Sequence, residues 1–409
     1  MYLTLEKAYG VVDASPSKSH LIRLLFLSYM SENDSFITLP LAEICGDVKD
    51  AMNCAGIFGK SCEIRGKTIN ITKCAYKNDC FVSGSASVLR FLLACGSVLG
   101  YEFSVKCGDK LLSRPHGELI SVLNSHGADI KQTEYGFEVS GKAQSGEYIV
   151  SAAISSQYAS ALLLSLPFAD GDSVLHLDGK TASLPYIKMT LSALEDAGIS
   201  IKNENNAFYV KGNNSVDKIN AVCEGDWSSA AVFLCMGAAD GSVRVNGISY
   251  SSLQGDKKIC DILVLSGASV RIDENGVTAS KGTNKAFDAD ITDIPDLAQT
   301  LAAYAVFCDG TTRLENVSRL KYKESDRAES ITRVLTLLGE KAERENDDIK
   351  IEKGVFVPDR IDCENDHRTA FMLALLSARG KIGLFGEECV TKSCPSFFEK
   401  FKSIGGIVS

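Results

Sequence analysis

The amino-acid sequence predicts a mixed α/β (α+β) protein of two domains, each assembled from three copies of one repeat. Three observations lead to this prediction. Six apolar helices recur at a nearly constant spacing, a second helix in each repeat ends at a glycine, and short β-branched segments separate the helices. With 409 residues, the chain is long enough to form two large hydrophobic cores.

The first helix of each repeat opens on small polar residues and continues as an aliphatic run. The six stretches are SKSHLIRLLFLSYM from Ser17, SASVLRFLLACGSV from Ser85, SSQYASALLLSLPFA from Ser155, WSSAAVFLCMGAA from Trp227, PDLAQTLAAYAVF from Pro295 and DHRTAFMLALLSA from Asp366. Their starts lie 68, 70, 72, 68 and 71 residues apart, so six repeats account for almost the whole chain. Because these helices are apolar on nearly every face, we expect them to be buried, three in each domain.

A second, more amphipathic helix in each repeat is predicted to end at a glycine, the residue that most readily adopts the left-handed conformation of a helix C-cap. The glycines are Gly56, Gly127, Gly198, Gly267, Gly339 and Gly406. The β-branched run after each glycine indicates a strand, as do alternating segments such as FSVKC (103–107) and FYVKG (208–212). Each repeat is therefore expected to contain two helices and about four strands.

The composition argues against several classes of function. The chain has a net charge of −9 and a pI near 5.3, whereas a nucleic-acid-binding protein usually has a basic excess. No apolar run reaches the roughly 18 residues that span a bilayer, and the first residues lack the pattern of a signal peptide. The 14 cysteines include no pair with zinc-site spacing, and no segment has the P-loop pattern. We therefore expect a cytoplasmic enzyme that needs neither a metal ion nor an organic cofactor and binds neither nucleic acid nor membrane.

Charged and hydrogen-bonding residues concentrate near the openings of the helices. Free N–H groups and the helix dipole attract anions to a helix N-terminus, so several converging N-termini would form an anion site. The basic residues at or near these openings are Lys18, Arg23, Arg90, Arg114, Lys323, Arg327, Arg368 and Lys392. Neutral polar residues and two carboxylates accompany them, namely Ser19, Ser155, Ser156, Gln157, Ser183, Tyr186, Asp296 and Glu324. So many cations in one cleft would repel one another without polyanionic ligands, which predicts two phosphorylated substrates.

A series of short motifs resembles that of the 5-enolpyruvylshikimate-3-phosphate (EPSP) synthase family of enolpyruvyl transferases. In chain order the motifs are PSKSHLIR (16–23), SASVLR (85–90), SRP (113–115), SSQ (155–157), EGD (224–226), IPD (294–296), KESDR (323–327), DHR (366–368) and TK (391–392). Most of them are weak signals alone. Their order and spacing extend over essentially the whole chain, however, and KESDR with DHR is the most specific pair.

The resemblance implies both a fold and an activity. The fold is a two-domain inside-out α/β barrel of six βαβαββ repeats, three per domain. Residues 15–225 are expected to form one domain and residues 1–14 with 226–409 the other, with the active site in the cleft between them. The activity is transfer of the enolpyruvyl group of phosphoenolpyruvate to the 5-hydroxyl of shikimate 3-phosphate with release of phosphate, a shikimate-pathway step toward chorismate and the aromatic amino acids. We expect a monomer that works in the cytoplasm.

Carried over motif by motif, the resemblance also assigns site residues. The expected contacts of shikimate 3-phosphate are Lys18, Ser19, Arg23, Ser155, Ser156, Gln157, Ser183, Asp296 and Lys323. The expected contacts of phosphoenolpyruvate are Lys18, Ala86, Arg114, Gln157, Arg327, Arg368 and Lys392. The resemblance makes Asp296 and Glu324 the proton-transfer groups, while Lys18 stabilises charge or relays a proton to the leaving phosphate.

Three positions depart from the family pattern. Arg319 stands where the family has an asparagine that contacts substrate, and we expect it either to reach a substrate oxygen or to turn away. Trp227 replaces a small residue after EGD, with no role evident from the sequence. Ala86 replaces a glycine of the phosphoenolpyruvate pocket, which implies resistance to glyphosate, an inhibitor slightly longer than phosphoenolpyruvate.

Other interpretations of the same residues stay open at this point. Taken singly, Ser155, Ser156 and Ser183 are more typical of helix caps than of ligand contacts. For the whole chain, one alternative is an enolpyruvyl transferase of the same fold that acts on UDP-N-acetylglucosamine, although LLSRPHGEL (111–119) lacks the cysteine of that family's mobile loop. An RNA-phosphate cyclase of related fold is disfavoured by the acidic pI. A repeat scaffold without catalytic activity is disfavoured by the set of Lys, Arg, Asp and Glu residues.

Overall fold

The computed structural model describes residues 1–151, 156–179 and 182–409. The chain forms two compact units, called here unit A (Lys18–Cys223) and unit B (Met1–Ser17 with Glu224–Ser409). The chain therefore passes from one unit to the other twice, at Ser17/Lys18 and at Cys223/Glu224.

Helices occur throughout the described ranges. They are α1 (Lys18–Tyr29), α2 (Gly46–Asn53), α3 (Ala86–Leu99), α4 (Asp109–Leu112), α5 (Gly117–Ser125), α6 (Ser156–Ser165), α7 (Leu184–Asp196), α8 (Trp227–Asp240), α9 (Ile259–Leu265), α10 (Ala298–Ala305), α11 (Arg327–Leu337), α12 (His367–Leu376) and α13 (Phe397–Ser403). Short 3₁₀ turns occupy Cys54–Phe58, Leu166–Phe168, Gly255–Lys258, Ser318–Tyr322 and Glu387–Lys392. Within the ranges given above, no helix combines the length and the apolar character needed to cross a membrane.

Short strands alternate with these helices. They are β1 (Tyr2–Leu5), β2 (Ala8–Asp13), β3 (Ser35–Thr38), β4 (Lys60–Arg65), β5 (Thr68–Lys73), β6 (Asp79–Val82), β7 (Phe103–Cys107), β8 (Ala128–Gln132), β9 (Gly136–Gly141), β10 (Glu147–Ser151), β11 (Ser173–Asp178), β12 (Lys202–Glu204), β13 (Ala207–Val210), β14 (Asn220–Val222), β15 (Gly241–Asn246), β16 (Ser269–Asp273), β17 (Gly276–Ser280), β18 (Asp288–Asp290), β19 (Thr312–Glu315), β20 (Lys341–Glu345), β21 (Asp348–Glu352), β22 (Arg360–Asp362), β23 (Ile382–Phe385) and β24 (Gly406–Val408).

The strands pair into four-stranded sheets that all share one topology. Unit A contains the sheets β14-β3-β5-β4, β6-β7-β9-β8 and β10-β11-β13-β12, and unit B contains β2-β15-β17-β16, β18-β19-β21-β20 and β22-β23-β1-β24. In each sheet the first two strands are parallel and the other neighbours are antiparallel, as for β6, β7, β9 and β8. The order β6-α3-β7-α5-β8-β9 shows the βαβαββ repeat, with the short α4 as an addition. The predicted α/β fold class is confirmed.

Three repeats take one strand from a distant part of the chain. In unit A, β14 at the end of the unit lies parallel to β3 and completes the first repeat. In unit B, β2 lies parallel to β15, although β2 precedes α1 in the sequence. The N-terminal β1 pairs with both β23 and β24 and so completes the sixth repeat. The two chain crossings follow from the pairings of β2 and β14, because each is the parallel outer strand of a repeat in its own unit.

The first helix of each repeat lies in the core, as predicted from its apolar composition. In α3 the consecutive residues Phe91, Leu92, Leu93, Ala94 and Cys95 are all 0% exposed, which leaves no face of the helix toward solvent. Helices α8, α10 and α12 pack against one another in unit B, and α3 packs against α6 in unit A. Since each buried Leu or Phe side chain contributes roughly 1.5–3 kcal/mol, these helices supply much of the hydrophobic stabilisation.

Four of the six predicted glycine stops are confirmed. They are Gly127, Gly198, Gly267 and Gly339, with φ of +105°, +85°, +85° and +77°. The other two predictions are wrong. In the first repeat, α2 ends at Asn53 and a 3₁₀ turn carries the chain past Gly56 to Gly59, which has φ +63°. In the last repeat Gly405 has φ +103°, and Gly406 already begins β24. The prediction chose the wrong one of two adjacent glycines, between which the sequence does not decide.

Trp227 has a structural role at the point where the chain enters α8. Its side chain is 0% exposed, and its indole Nε1 donates to the Ser249 carbonyl oxygen at 3.1 Å. Its backbone N–H donates to Oε1 of Gln254 at 3.0 Å. The preceding Asp226 caps α8 by accepting from the Ser229 N–H at 2.7 Å. The tryptophan therefore anchors the start of α8 in the core of unit B.

Candidate active site

Lys18, the first residue of α1, forms a largely buried ion pair in unit A. Its Nζ lies 3.0 Å from Oδ2 of Asp47 in α2, and the two side chains are 17% and 11% exposed. The pair orients the lysine from the first turn of α1, where the helix dipole also favours anions. Ser19 follows on the same turn and is half-buried. The ion pair with Asp47 was not predicted from the sequence.

Arg23 joins α1 to α6 and α7 through neutral partners. Its Nε donates to Oγ1 of Thr190 at 2.8 Å, and its Nη1 donates to the Ser19 carbonyl oxygen at 2.5 Å. Its Nη2 donates to the Tyr186 carbonyl oxygen at 2.9 Å and to Oγ of Ser160 at 3.4 Å. Burial lowers the pKa of Arg23 to about 10, while Tyr186 opposes this change. The guanidinium is thus a fixed, buried cation within unit A.

Two of the three serines predicted to bind phosphate lie at the starts of helices in unit A. Ser155 lies outside the described residues. Ser156 is the buried first residue of α6. Ser183 is buried at the N-cap position of α7 with φ +57°, yet its side chain forms no cap hydrogen bond. Ser183 therefore occupies the cap position of α7 without the side-chain cap hydrogen bond, and its left-handed backbone is uncommon for a residue with a side chain.

Arg90 connects two predicted phosphoenolpyruvate contacts in unit A. It lies in α3, is 2% exposed, and stacks 4.9 Å from the ring centre of Tyr158. Its Nη1 donates to Oε1 of Gln157 at 2.5 Å, and its Nη2 donates to the Pro115 carbonyl oxygen at 2.6 Å. Pro115 directly follows Arg114, so Arg90 holds both the Gln157 side chain and the Arg114 segment.

In unit B, Arg327 binds three carboxylates at once. Its Nη1 lies 2.6 Å from Oδ1 of Asp296, its Nη2 lies 2.8 Å from Oε2 of Glu324, and its Nε lies 2.8 Å from Oδ2 of Asp366. Lys323 approaches the same Asp296 oxygen at 3.3 Å. Burial alone lowers the pKa of Arg327, which is 1% exposed, but the three carboxylates hold it well above its ordinary value. Glu324 therefore shares the positive charge of Arg327 with Asp296 and Asp366.

The two predicted proton-transfer groups are held in a similar way. Asp296 and Glu324 are both bonded to Arg327, and each side chain is 20% exposed. Asp366, in contrast, is 0% exposed and also accepts from the Ser325 hydroxyl at 3.0 Å. The arrangement places two partly exposed carboxylates on a rigid buried cation, which suits groups that must exchange protons in a fixed position.

Arg368 is a buried cation of unit B. It is 3% exposed, its guanidinium lies 5.6 Å from the ring centre of Phe371, and its backbone N–H donates to Oδ1 of Asp366. Its Nε and Nη1 atoms are buried without a hydrogen-bond partner among the described residues. Because an unmade buried hydrogen bond of a charged group is costly, this geometry favours a bound anion. Nearby, Nζ of Lys392 donates to the Asn365 carbonyl oxygen at 3.0 Å.

The structure brings together only part of the predicted site within each unit. In unit B it joins Asp296, Lys323, Glu324 and Arg327 through direct ion pairs. In unit A, Gln157 is connected to the Arg114 segment through Arg90, whereas Lys18 and Arg23 have separate partners. Ala86 is the buried first residue of α3. Asp366 was missed as a site residue, although an aspartate before an apolar helix could have been recognised as its cap.

Arg319 lies in the 3₁₀ turn Ser318–Tyr322, immediately before the KESDR motif. It is half-buried, and its Nε has no hydrogen-bond partner in the part of the chain that the structure describes. Burial lowers the pKa of Arg319, while Asp293 opposes this change. This position is compatible with both expectations, namely that Arg319 reaches a substrate oxygen or that it turns away from the substrate.

Asp256 is a second buried carboxylate of unit B that the sequence did not reveal. It is 2% exposed, and its Oδ2 accepts from the Ser228 hydroxyl. Its Oδ1 has no hydrogen-bond partner within the described ranges. Burial, together with the charges of Asp296 and Asp226, raises the pKa of Asp256 to about 7, although Ser228 and Arg368 oppose the change. The carboxyl group therefore holds a proton far above its ordinary pKa of 3.8.

Asp256→Asn is expected to change how stability depends on pH. A carboxyl group whose folded-state pKa is raised stabilises the fold at low pH, and this stability is lost as the pH rises through the folded-state value. Asparagine keeps an acceptor for Ser228 but cannot ionise. Between about pH 5 and about pH 8 the native chain should therefore lose about 2 kcal/mol of unfolding free energy relative to the variant. Urea unfolding at the two pH values measures this difference.

The control for Asp256→Asn is Asp309→Asn, the same substitution at an exposed position of unit B. Because an exposed carboxylate contributes little to stability, this variant should follow the native curve at both pH values. If the difference in unfolding free energy between the native chain and Asp256→Asn is equal at the two pH values, the pKa of Asp256 is not raised in the folded state.

Comparison with known proteins identifies relatives over the full chain. The family model for EPSP synthase (3-phosphoshikimate 1-carboxyvinyltransferase) matches residues 4–401. The 3-phosphoshikimate 1-carboxyvinyltransferase of Brachyspira hyodysenteriae is 35% identical over 421 aligned positions, which cover 100% of both chains. That of Clostridium kluyveri is 32% identical and covers 98% of this chain and 96% of its own.

Solved structures share the fold at lower sequence identity. The EPSP synthase of Acinetobacter baumannii superposes with a TM-score of 0.82 at 22% identity, covering 100% of this chain and 99% of the other. The enolpyruvyl transferase NikO of Streptomyces tendae superposes with a TM-score of 0.77 at 14% identity, covering 99% and 97%. At these identities the likeness supports the fold alone.

Proposed function

The chain belongs to the EPSP synthase (3-phosphoshikimate 1-carboxyvinyltransferase) family, and we propose that it transfers the enolpyruvyl group of phosphoenolpyruvate to the 5-hydroxyl of shikimate 3-phosphate and releases inorganic phosphate. This is a step of the shikimate pathway toward the aromatic amino acids. The observation that carries the proposal is the set of Asp296, Lys323, Glu324 and Arg327, in which two partly exposed carboxylates share one buried cation.

The reaction needs a group that first gives and then takes a proton. The 5-hydroxyl oxygen forms a bond to C2 of phosphoenolpyruvate while C3 receives a proton. In the second step C3 loses a proton and the bond between C2 and the phosphate oxygen breaks. Glu324 supplies and recovers the proton at C3 in this proposal, because the arrival of anionic substrates favours the protonated form of a carboxylate held beside Arg327.

The hydroxyl proton and the leaving phosphate need further groups. Asp296 takes the proton of the 5-hydroxyl, and its bonds to Lys323 and Arg327 keep its carboxylate in one orientation. Lys18 stabilises the charge on the phosphate or delivers a proton to it, a role that suits a mobile ammonium group. Its partner Asp47 keeps the ammonium group at the start of α1 until substrate arrives.

The remaining predicted residues bind the substrate anions in this proposal. Phosphoenolpyruvate is bound by Lys18, Ala86, Arg114, Gln157, Arg327, Arg368 and Lys392. Shikimate 3-phosphate is bound by Lys18, Ser19, Arg23, Ser155, Ser156, Gln157, Ser183, Asp296 and Lys323. The Nε and Nη1 donors of Arg368, which are buried without a partner among the described residues, support its part, since each can donate a charge-assisted hydrogen bond to an anionic oxygen.

We propose that groups from both units act on one pair of substrates, in a cleft between domains 15–225 and 1–14 with 226–409. The same proposal makes the enzyme a cytoplasmic monomer that binds neither nucleic acid nor membrane. The net charge of −9 supports the absence of a nucleic-acid partner, because polyanions are bound by proteins with a basic excess.

A phosphate-release assay tests the proposed function. The purified chain should release inorganic phosphate from phosphoenolpyruvate only when shikimate 3-phosphate is present. Release that depends instead on UDP-N-acetylglucosamine would assign the chain to the alternative transferase. Absence of release with either acceptor would leave the scaffold interpretation.

Arg114→Ala is expected to weaken phosphoenolpyruvate binding. Losing one charge-assisted hydrogen bond of roughly 1.5–3 kcal/mol corresponds to a rise in the KM for phosphoenolpyruvate of about ten- to a hundredfold. The KM for shikimate 3-phosphate should stay close to the native value. Arg65→Ala is the matched control, because the Arg65 side chain is 72% exposed in β4 and forms its ion pair with Glu63 on the surface. Equal KM values for phosphoenolpyruvate in Arg114→Ala and native enzyme would remove Arg114 from the site.

A further inference from the structure

Asp50 is a buried carboxylate of α2 that the proposed mechanism does not use. It is 3% exposed, and its oxygens accept hydrogen bonds from one short segment, Ser83–Ser85. Oδ1 accepts from the Ser83 N–H at 3.0 Å and from the Ser83 hydroxyl at 2.9 Å. Oδ2 accepts from the Gly84 N–H at 3.0 Å and from the Ser85 N–H at 3.2 Å.

Three successive backbone N–H groups that converge in this way form a concavity that binds anions. Here the anion is a carboxylate of the chain itself. Burial raises the pKa of Asp50, as does the neighbouring Asp47, while the hydrogen bonds from Ser83 and Gly84 oppose the change. A buried carboxylate with this many donors is costly to desolvate, so its role is to fix the segment that donates to it.

The segment fixed by Asp50 leads directly into α3. Ser85 is the N-cap residue of α3 but forms no side-chain cap hydrogen bond, so the segment relies on the contacts from α2. Ala86 is the next residue, and Arg90 follows in the second turn of the helix. A shift in the start of α3 would therefore move Arg90, which donates to Gln157 and to the Pro115 carbonyl.

We propose that Asp50 is a positioning residue for the phosphoenolpyruvate half of the site. It acts through Ser83–Ser85 and α3 on Arg90, which in turn holds Gln157 and the segment of Arg114. This inference rests on the proposed function. In this inference both carboxylates of α2 position parts of the site. Asp47 orients Lys18, and Asp50, one turn later, orients the start of α3.

The test compares Asp50→Asn with the native enzyme under steady-state conditions. The asparagine amide group places N–H donors against the Gly84 and Ser85 N–H groups, so the segment must move. We expect the KM for phosphoenolpyruvate to rise about tenfold, and the KM for shikimate 3-phosphate to change by less than about twofold. Asp50→Glu keeps the charge on a longer side chain and should give an intermediate KM for phosphoenolpyruvate.

Two controls separate positioning from loss of stability. Ile71→Val removes one methyl group from the core of unit A, where Ile71 is 0% exposed, and should leave both KM values unchanged. Asp172→Asn removes an exposed carboxylate of the same unit that also accepts from a backbone N–H, that of Gly212, and should likewise have no effect. Circular dichroism confirms that each variant is folded before kinetics are measured.

The outcomes distinguish this inference from the proposed function. If the native enzyme shows no phosphate release that depends on both substrates, the proposed function fails. If the native enzyme is active, an unchanged KM for phosphoenolpyruvate in Asp50→Asn overturns the positioning role, as does a parallel rise in both KM values. If Asp50→Asn does not fold, Asp50→Glu is tested by the same criterion. The positioning role then requires a rise in the KM for phosphoenolpyruvate without a matching rise in the KM for shikimate 3-phosphate.

Discussion

Glu324→Gln is expected to fold normally, to bind both substrates and to lose turnover by about 10²- to 10⁴-fold. Glutamine has the same shape as glutamate, and its side-chain oxygen can still accept a hydrogen bond from Nη2 of Arg327. Only the negative charge at position 324 is lost. Asp296 and Asp366 continue to bind the same guanidinium. The substitution therefore removes the exchangeable proton and leaves the surrounding ion pairs in place.

Single-turnover rates and substrate binding measure the effect of Glu324→Gln separately. The rate should fall while the dissociation constant for shikimate 3-phosphate stays near the native value, since an interaction confined to the transition state affects kcat and not ground-state binding. Glu329→Gln is the matched control, because Glu329 is exposed on the first turn of α11. Near-native turnover in Glu324→Gln would show that another group moves the proton at C3.

Much of the fold was predictable because each repeat presents the same local signals. An apolar run such as Phe91–Cys95 must be buried whatever surrounds it, and Gly127 or Gly339 ends a helix through its own backbone freedom. The errors at Gly56 and Gly406 arise where a second glycine or a 3₁₀ turn lies close by, so that local preference does not decide between neighbours.

The site was less predictable, because its geometry depends on residues far apart in sequence. KESDR predicts a set of charges, but only the fold shows that Arg327 is shared among Asp296, Glu324 and Asp366. Asp366 lies 39 residues after Arg327, and no local pattern connects them. The same holds for Asp256, whose raised pKa results from burial and from carboxylates that lie far from it in the sequence, Asp296 and Asp226.

At the start of α3, the general preference of helix openings for anions does not identify which anion binds. Helix openings are expected to attract anions, and the segment before α3 does bind one. That anion is the carboxylate of Asp50, which the sequence places 33 residues before Ser83 on a different helix. Arg368 is the better indicator of where a ligand's anion binds, because its buried Nε and Nη1 lack partners among the residues described.

The native enzyme is expected to resist glyphosate, and Ala86→Gly is expected to make it about ten- to a hundredfold more sensitive. The resemblance to the family places a glycine at this position, beside an inhibitor slightly longer than phosphoenolpyruvate. A methyl group added to a packed wall costs roughly 1–3 kcal/mol, which corresponds to that loss of affinity. Ala86 is 2% exposed, and the segment before it is bonded to Asp50, so the helix start cannot easily move to relieve the contact.

Inhibition by glyphosate, measured in competition with phosphoenolpyruvate, checks this expectation. The shorter substrate should be less affected than the inhibitor, so the KM for phosphoenolpyruvate and the kcat of Ala86→Gly should stay within a few-fold of native. Ala94→Gly is the matched control: it makes the same substitution in the buried interior of α3, where glycine costs about 1 kcal/mol of helix stability without altering the helix start. If the native enzyme is inhibited as readily as Ala86→Gly, or if Ala94→Gly gains sensitivity equally, the methyl group of Ala86 does not determine resistance.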